Sequence, residues 1–463
     1  MTVDEALEIL EIALEHRSLS HVYELVFRRS WQGQTYNDIA REAGYDYDYI
    51  KEVGSKLWNY LSEALGERVN KKNVQLVLRR YHKHQQEEQA VNIETATLKN
   101  VNDDNGGDRF DELSLPNQDW RGAPDVSRFY GRTDELVKLE RWIIQDFCRI
   151  VAIVGMGGIG KTALSVTLAE ELQIGFQYIV WRSLRNAPPL MDLLIDIIHH
   201  ISDRQGNLPD TPYGCISTLI ECLGKHRCLV VLDHADALLS SGTGREYRQA
   251  GEYIEGRENY AELFRAIAEA QHQSCLLITS REQPREIALQ EGARARSLFL
   301  GGLQVTEAQR IFAEKGEFEG TEQDWQFLVA RYAGNPLALK AVALAVKEFF
   351  GGDIAQLNAL LAEDRWIFSD IRKLLDQQFD RLSELEKKVI YWVTLQEGEV
   401  TLADLKTELA PVDSTQRLLE TLDSLRRRSL IDKNGAVFSQ QPIVREYIEE
   451  KMNQQSLEAA DRG

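Results

Sequence analysis

The sequence of 463 residues lacks several features that would assign it to a simple class. Five cysteines are present, but no two of them form a CxxC pair, so the sequence indicates neither a zinc site nor a disulfide framework. Long apolar runs are also missing, because none approaches the roughly 18 residues that a membrane-spanning helix needs. The N-terminal segment is acidic and amphipathic, which is not the pattern of a signal peptide. We therefore expect a soluble, cytoplasmic protein without a membrane span.

An excess of positive charge is absent as well. The chain has 54 lysine and arginine residues against 73 aspartate and glutamate residues, which gives a net charge of -19. Such a surface repels polyanions overall, although a local basic patch is compatible with it. DNA is therefore not the expected partner.

The chain is longer than one ordinary core, and its hydrophobic pattern divides it into five segments. Residues 1–82 are predicted to be an all-α helix-turn-helix domain, since two short amphipathic helices flank a turn at Gly44. Residues 83–125 are rich in Asn, Asp, Gln and Gly and are predicted to be a flexible linker. The remaining segments are residues 126–300, 301–370 and 371–455.

The helix that follows Gly44 is predicted to begin with Tyr45, Asp46, Tyr47 and Asp48. Acidic side chains at this position repel the phosphates that a DNA-reading helix must approach. The pattern therefore favours a packing or adaptor unit over a DNA reader for this domain.

Residues 126–300 alternate short β-rich runs with helical runs, which predicts an α/β domain with a parallel sheet and helices on both faces. Five strands are predicted: 149–154, 177–182, 228–232, 274–279 and 297–300. The fourth is expected to lie beside the first and the third. Residues 301–370 are predicted to be a helical domain, and residues 371–455 a winged helix whose two-stranded wing turns at Asn434–Gly435.

The stretch GMGGIGKT matches the pattern G-x-x-x-x-G-K-[ST] completely, with a predicted strand before it and a helix after it. Glycines let the backbone N–H groups of such a P-loop converge on a phosphate at the start of the helix. Lys161 then reaches the β and γ oxygens of ADP or ATP, and the Thr162 hydroxyl ligates Mg²⁺. The predicted nucleotide-binding residues of the loop are Gly155, Gly157, Gly158, Ile159, Gly160, Lys161, Thr162 and Ala163.

The run RCLVVLDHAD supplies the carboxylate that a magnesium nucleotide requires, since Asp233 ends a predicted strand and can hold the metal through water. Many P-loop ATPases carry an acidic residue at the next position, where it polarises the attacking water, but this chain has His234. A histidine is a base at neutral pH, and Asp236 is a second candidate. The missing carboxylate predicts slow turnover.

A further apolar run, SCLLITSRE, ends in Arg281, which either senses the γ-phosphate or forms a surface salt bridge. Taken with the other motifs, the first alternative is favoured. The predicted catalytic residues of a slow ATPase are Lys161, Asp233, His234 and Arg281, and the predicted metal ligands are Thr162 and Asp233.

Five segments occur in a distinctive order: FYGRTDEL (129–136), GMGGIGKTAL (155–164), LVVLDHAD (229–236), LLITSRE (276–282) and GNPLALK (334–340). Together they resemble the NB-ARC branch of the STAND signal-transduction ATPases, which includes the NLR-like and apoptotic ATPases. The first 80 residues also resemble the helix-turn-helix domain of cyanobacterial members, which commonly continue into WD-type or helical repeats. This resemblance covers about residues 126–450 apart from that N-terminal domain.

The resemblance implies nucleotide contacts outside the P-loop. It places Phe129, Tyr130 and Arg132 near the adenine and ribose. It also places Pro336 and Leu337 of GNPLALK at the base, in a helical domain that closes over the nucleotide.

The resemblance further implies that Arg281 is the sensor arginine. At one position the chain departs from the family pattern. In the family, a histidine of the winged helix reaches the β-phosphate of ADP, whereas the corresponding stretch here reads VFSQQPIVREYI. Gln441 is the residue expected at that place. It can donate a hydrogen bond, but it cannot carry the charge of a protonated imidazole.

A nucleotide-operated switch is the first functional hypothesis: a closed ADP-bound monomer that ATP opens into a homo-oligomer, with a protein partner at the N-terminal domain. The alternative is an ATP-dependent transcription regulator that binds DNA through its helix-turn-helix. Its best basic run, LRRRSL (425–430), is more often a solvated helix face. A small-molecule kinase is a third reading, but no acceptor pocket is identifiable.

No repeat of about 30 to 45 residues is visible in the sequence. The sensor array implied by the resemblance is therefore absent from these residues. Either the chain is a piece of a longer protein, or its trigger acts through a partner.

Overall fold

The structure is a computed structural model that describes residues 1–13, 21–91, 117–126, 128–202, 208–240, 251–363, 367–396, 398, 400–409 and 414–460. The chain divides into two compact units. The first comprises residues 1–117 with 171–175, and the second comprises residues 118–170 with 176–463. Within the described ranges, no helix is both long and apolar enough to cross a membrane.

The first unit is helical over its described residues. Its helices are α1 (Val3–Ala13), α2 (His21–Trp31), α3 (Tyr36–Ala43), α4 (Tyr47–Leu65) and α5 (Val74–Val91). Thr35 begins α3 through a reciprocal capping box with Asp38, and Gly44 ends it at a φ of 73°, a left-handed conformation that glycine adopts without strain. Buried side chains such as Ile39 and Leu57 join α3 and α4 in one core. The predicted helix-turn-helix about Gly44 is thereby confirmed.

The predicted linker, residues 83–125, is wrong at both ends. Residues 83–91 continue helix α5, and Asn117–Asp119 forms a strand. The middle of the predicted linker, residues 92–116, lies outside the described residues.

Residues 117–300 alternate strands with helices along the chain. The strands are β1 (Asn117–Asp119), β2 (Ile150–Val154), β3 (Tyr178–Ser183), β4 (Cys228–Asp233), β5 (Cys275–Ser280) and β6 (Ala295–Phe299). The helices are α6 (Thr133–Glu140), α7 (Lys161–Leu172), α8 (Leu190–Ile201), α9 (Pro212–Lys225), α10 (Asn259–Glu269) and α11 (Arg285–Leu289). A π-helical segment, Arg141–Gln145, continues α6, and short 3₁₀ turns cover Gln173–Gly175 and Ala235–Leu238.

The strands form one sheet in the order β1-β3-β4-β5-β2-β6. The pairs β3–β4, β4–β5, β5–β2 and β2–β6 are all parallel. Successive residues of β2, β4 and β5 are buried without alternation, because a parallel sheet of this kind is covered on both faces. The five predicted strands are confirmed to within two residues at each end, and β5 lies between β2 and β4 as predicted.

The sheet has a sixth strand, β1, that the sequence analysis missed. Its three residues, NQD, are polar and carry no apolar alternation. Charge holds the strand in place, because the Asp119 carboxylate accepts hydrogen bonds from Arg182 of β3 at 2.6 Å and from Arg121. These arginines keep the pKa of Asp119 well below its usual range, and the largest contribution comes from Arg121.

Residues after 301 are mainly helical. The elements are α12 (Val305–Ala313), α13 (Glu322–Arg331), α14 (Pro336–Phe350), α15 (Ile354–Glu363), α16 (Ser369–Phe379), α17 (Glu384–Leu395), β7 (Val400–Thr401), α18 (Leu402–Leu409), α19 (Thr415–Arg427), β8 (Asp432–Asn434), β9 (Val437–Ser439) and α20 (Pro442–Ala460). The predicted hairpin at Asn434–Gly435 joins β8 and β9, and β7 pairs with β9 to make a three-stranded antiparallel sheet. The predicted two-stranded wing therefore has a third strand.

A single hydrophobic core runs through these helices. Leu339 of α14, Val389 of α17 and Leu425 of α19 all belong to it. Met156, which lies in the predicted P-loop, is buried in the same core. The core shows no gap at residue 370, so the division into domains 301–370 and 371–455 stays a prediction.

Candidate nucleotide-binding site

The loop between β2 and α7 is braced from within by Lys161. The lysine Nζ donates hydrogen bonds to the carbonyl oxygens of Gly155 and Met156, at 2.9 and 3.0 Å. Gly158 and Gly160 have φ values of 78° and 101°, a region that side chains disfavour. The loop then runs directly into α7, whose N-terminus presents backbone N–H groups to an anion. These features suit a loop that would hold a phosphate.

Lys161 is a buried cation. Burial lowers the pKa of its ammonium group from 10.5 to about 8, while Asp236 opposes the shift and Arg281 adds to it. A phosphate beside the ammonium group would favour its charged form and raise this pKa again. The protonation of Lys161 is therefore linked to anion binding.

We expect the affinity for ADP to fall as the pH rises above about 8. The free protein loses the Lys161 proton near pH 8, whereas the ADP complex keeps it to higher pH, so binding then requires proton uptake and weakens by up to about tenfold per pH unit. Calorimetric titration with ADP between pH 7 and 10 checks this. Adenosine, which has no phosphate, is the control and should show no such slope. A constant ADP affinity over this range would contradict the assignment.

Asp233 lies at the end of β4, within reach of the P-loop. Its carboxylate accepts a hydrogen bond from the Thr162 hydroxyl at 2.9 Å and another from the Thr279 hydroxyl. Burial raises the pKa of Asp233, but contacts with His234, Thr279 and Thr162 outweigh it and lower the pKa overall. An ionised carboxylate beside a hydroxyl is an oxygen donor set that suits Mg²⁺. The two predicted metal ligands are thus together.

His234 follows Asp233 in a left-handed backbone conformation, at a φ of 64°. Its Nδ1 lies 2.7 Å from the Asp233 carboxylate, and its Nε2 lies 3.2 Å from Nη2 of Arg185. Because arginine only donates hydrogen bonds, Nε2 is the acceptor in the contact with the exposed Arg185 side chain. A catalytic role of His234 stays a prediction.

Arg281 and Asp236 contact each other beside the P-loop. The Arg281 backbone N–H donates to Asp236 Oδ1 at 3.1 Å, and its guanidinium donates to Gln377 of α16 at 3.1 Å. A Cβ atom built on Gly157 would lie 3.6 Å from the guanidinium carbon. Arg281 is therefore at the loop, as a sensor of the γ-phosphate must be, and Asp236 is engaged by it.

The GNPLALK segment packs directly on the P-loop. Asn335 caps α14 and donates through Nδ2 to the Gly157 carbonyl at 3.0 Å, and the Leu337 N–H faces the Gly158 carbonyl at 3.3 Å. Pro336 lies 3.9 Å from where a Cβ on Gly160 would be. Pro336 and Leu337 are therefore at the loop, and Asn335 is a contact that the sequence analysis missed.

Arg132 lies under the same loop. Its guanidinium donates to the carbonyl oxygens of Ile159 at 3.2 Å and Gly301 at 2.7 Å. Its backbone N–H donates to the Glu307 carboxylate at 3.0 Å, and that carboxylate occupies the space that a side chain on Gly131 would fill. Arg132 thus ties the P-loop to the chain segment that leads into α12.

Phe129 and Tyr130 directly precede Gly131, and both side chains are half-buried. A hydrogen bond between the Tyr130 hydroxyl and the Glu314 carboxylate raises the pKa of this tyrosine. Their predicted place beside the adenine and ribose stays a prediction.

Comparison with known proteins agrees with this arrangement. Residues 132–236 match the NB-ARC domain family. They form an NB-ARC domain. Residues 1–81 match the family described as the N-terminal helix-turn-helix of vWA-MoxR associated proteins, close to the predicted domain of residues 1–82.

Two curated relatives are much longer than this chain. An uncharacterised WD repeat-containing protein of Nostoc sp. is 45% identical over 362 residues, which cover 76% of this chain and 28% of that protein. The disease resistance protein RPV1 of Vitis rotundifolia is 25% identical over 253 residues, 52% of this chain and 16% of that protein. The chain therefore spans less than a third of the length of either relative.

Two solved ATPase structures are weakly similar to part of this chain. A STAND protein with a tetratricopeptide repeat sensor from Pyrococcus horikoshii shares 18% identity at a TM-score of 0.37, over 72% of this chain and 44% of that chain. A Walker-type ATPase of Pyrococcus abyssi shares 15% identity at a TM-score of 0.46, over 73% of this chain and 99% of that chain.

Helix α16, rather than Gln441, provides the described contacts of the winged-helix segment with the P-loop of the NB-ARC domain. Leu374 lies 3.2 Å from where a Cβ on Gly157 would be. Gln441 immediately precedes α20, and its side chain hydrogen-bonds with Asp432. Within the described residues, no recorded contact joins Gln441 to residues 155–162, so its role at the ADP phosphate stays a prediction.

A buried charge cluster joins the segment that follows β5 to the winged-helix segment. Glu282 accepts from Arg428 at 2.8 Å and lies 3.4 Å from Arg381. Arg428 also donates to Glu386 at 3.2 Å. Glu282, Glu386 and Arg428 are each at most 4% exposed. We call these four residues the Glu282 cluster.

The cluster corrects one reading of the sequence. The run LRRRSL was expected to be a solvated helix face, and Arg426 and Arg427 do pair with Asp423 beside them on α19. Arg428 instead turns into the protein, because two carboxylates from distant parts of the chain compensate its buried charge. Nothing in the run itself distinguishes this arginine from its neighbours.

Proposed function

We propose that the chain is a nucleotide-operated switch in which ADP holds the C-terminal helices closed over the NB-ARC domain and ATP·Mg²⁺ releases them. One observation carries this proposal: residues of the C-terminal helices contact the P-loop directly. Asn335 of α14 bonds to the Gly157 carbonyl, Leu374 of α16 packs beside Gly157, and Met156 is buried in the helical core. A ligand that changes the loop therefore changes the surface on which the helices rest.

Two alternative packings are what such a switch requires, since a nucleotide shifts the equilibrium only by its differential affinity for the two states. The closed arrangement is supported by the Glu282 cluster, which spans the boundary that would open. Arg281, the candidate γ-phosphate sensor, immediately precedes Glu282 in the chain. Contacts of Arg281 with a γ-phosphate would thus act next to the cluster.

Mass in solution and nucleotide content test the proposal together. We expect the purified protein to carry ADP and to be a monomer with ADP, and to form a homo-oligomer with Mg²⁺ and a non-hydrolysable ATP analogue. Nucleotide extraction followed by chromatography, and light scattering in each state, make these measurements. Protein that is free of nucleotide and has no measurable affinity for ADP would refute the switch.

Hydrolysis of ATP is expected to be slow, with a turnover well below the usual enzyme median of about 10 s⁻¹. The physical reason is that His234, and not a carboxylate, follows Asp233 at the position where many P-loop ATPases polarise the attacking water. Phosphate release under saturating Mg·ATP measures the rate. Sustained turnover above that median would instead favour a motor-like ATPase.

The N-terminal unit is proposed to bind a protein partner rather than DNA. Asp46 is exposed just before α4 and caps that helix through the Tyr49 N–H at 3.2 Å, so the start of the candidate recognition helix is negative and would repel phosphates. The matched family is named for proteins associated with vWA and MoxR proteins, which is consistent with a protein-docking role.

A further inference from the structure

Five successive carbonyl groups of the P-loop, residues 155–159, each face a hydrogen-bond donor. The Lys161 ammonium group donates to the first two carbonyl oxygens. Asn335 Nδ2 donates to the third carbonyl oxygen at 3.0 Å, and the Leu337 N–H donates to the fourth at 3.3 Å. Arg132 Nη2 donates to the fifth at 3.2 Å. Three of these donors come from outside the loop. The carbonyl side of the P-loop is therefore held by residues far from it in sequence.

Holding a carbonyl also directs the next amide. The C=O of one residue and the N–H of the next point in opposite directions across a trans peptide bond, and the chain has no cis peptide bond in its described residues. Asn335 at the Gly157 carbonyl therefore turns the Gly158 N–H away from α14. In the same way, Arg132 at the Ile159 carbonyl turns the Gly160 N–H away from itself.

We propose that Asn335 and Arg132 are positioning residues that aim the P-loop amides of Gly158 and Gly160 at the phosphates of the nucleotide. Glycine peptides are free to rotate because they have no Cβ atom, so a loop with four glycines needs an external constraint on its amides. The bonds supply it from the side opposite the phosphates. This inference rests on the nucleotide binding of the proposed switch and adds how its phosphate site is shaped.

Asparagine is suited to this position because it uses both ends of its amide. Its Oδ1 accepts from the backbone N–H groups of Leu337 at 3.1 Å and Ala338 at 3.3 Å, which caps α14. Its Nδ2 remains available for the Gly157 carbonyl. Serine caps helices about as well as asparagine does, but its hydroxyl is too short to reach the loop as well. The two functions of Asn335 can therefore be separated by substitution.

The test compares wild type, Asn335→Ser and Asn335→Ala for binding of ADP, pyrophosphate and adenosine, with thermal unfolding measured in parallel. We expect Asn335→Ser to weaken ADP and pyrophosphate by about tenfold, the value of one hydrogen bond, and to leave adenosine unchanged. Asn335→Ala should show the same binding loss and, in addition, a lower Tm from the lost cap. Arg132→Lys should also weaken pyrophosphate.

The pattern across ligands decides the result. Unchanged pyrophosphate affinity in Asn335→Ser would overturn the inference while leaving nucleotide binding by the wild type intact. A loss that falls equally on adenosine would also overturn it, because that is the result of a merely structural role. Wild-type protein that binds neither ADP nor pyrophosphate would refute the proposed function, and the inference with it.

Discussion

Replacement of Lys161 by alanine is expected to abolish detectable ADP binding, with a loss of affinity of at least about 100-fold. The ammonium group is buried under the P-loop, where charge-assisted hydrogen bonds to phosphate are worth about 1.5–3 kcal/mol each. The change also removes the donor shared by the Gly155 and Met156 carbonyls. The loop loses both its positive charge and its internal brace. Isothermal titration and the nucleotide content of the purified variant measure the effect.

Lys225→Ala is the matched control, because it makes the same substitution at an exposed position at the end of α9. We expect it to bind ADP as the wild type does. Lys161→Ala protein that retained ADP within a few-fold of wild type would show that the glycine loop is not the phosphate site. Circular dichroism of both variants establishes that the fold is kept.

The Glu282→Gln variant is expected to open the closed arrangement. Glutamine keeps an oxygen for the Gly251 N–H, which donates to Glu282 at 2.6 Å, but it removes the negative charge that faces Arg428 and Arg381. Breaking a buried ion pair on one side costs about 3–5 kcal/mol because the partner charge is left uncompensated. This would shift the closed–open equilibrium by more than about 100-fold.

An increased Stokes radius with ADP bound, and oligomers that form without an ATP analogue, are the measurements expected to report this opening. Glu262→Gln is the control, since the Glu262–Arg265 pair on α10, at 2.9 Å, is partly exposed, and a surface pair contributes about 0–1 kcal/mol. Glu282→Gln protein that unfolds at a lower temperature but keeps the wild-type radius and remains a monomer would limit the cluster to a structural role.

The P-loop, the aspartate beside it and the five main strands could be predicted because their signals are local. GMGGIGKT places its glycines, Lys161 and Thr162 within eight consecutive residues, and the strands are continuous apolar runs of about the length that a buried parallel strand has. Asp233 was recognisable because it ends such a run. Strand β1 was missed, since its polar residues carry no pattern and its place depends on Arg182, far along the chain.

The other parts of the site could not be predicted from the sequence, even though the segments that carry them were recognised. GNPLALK was assigned to the nucleotide, yet the amide bond from Asn335 to Gly157 joins positions that only folding brings together. The place of Arg132 near the ribose stays a prediction, and its bonds to the Ile159 and Gly301 carbonyls were not foreseen. The side-chain directions of both residues depend on packing between distant elements.

The sequence by itself determined an NB-ARC-type phosphate loop, its aspartate, a parallel sheet and the helical modules around it, because each is specified by neighbouring residues or by a regular apolar period. Only the tertiary structure decided which of three consecutive arginines is buried, and that Asn335 of α14 and Leu374 of α16 lie at the loop. These outcomes depend on charges and hydrogen-bond partners from remote segments. A buried polar group is stable only when a partner that bonds to it or compensates its charge lies close by.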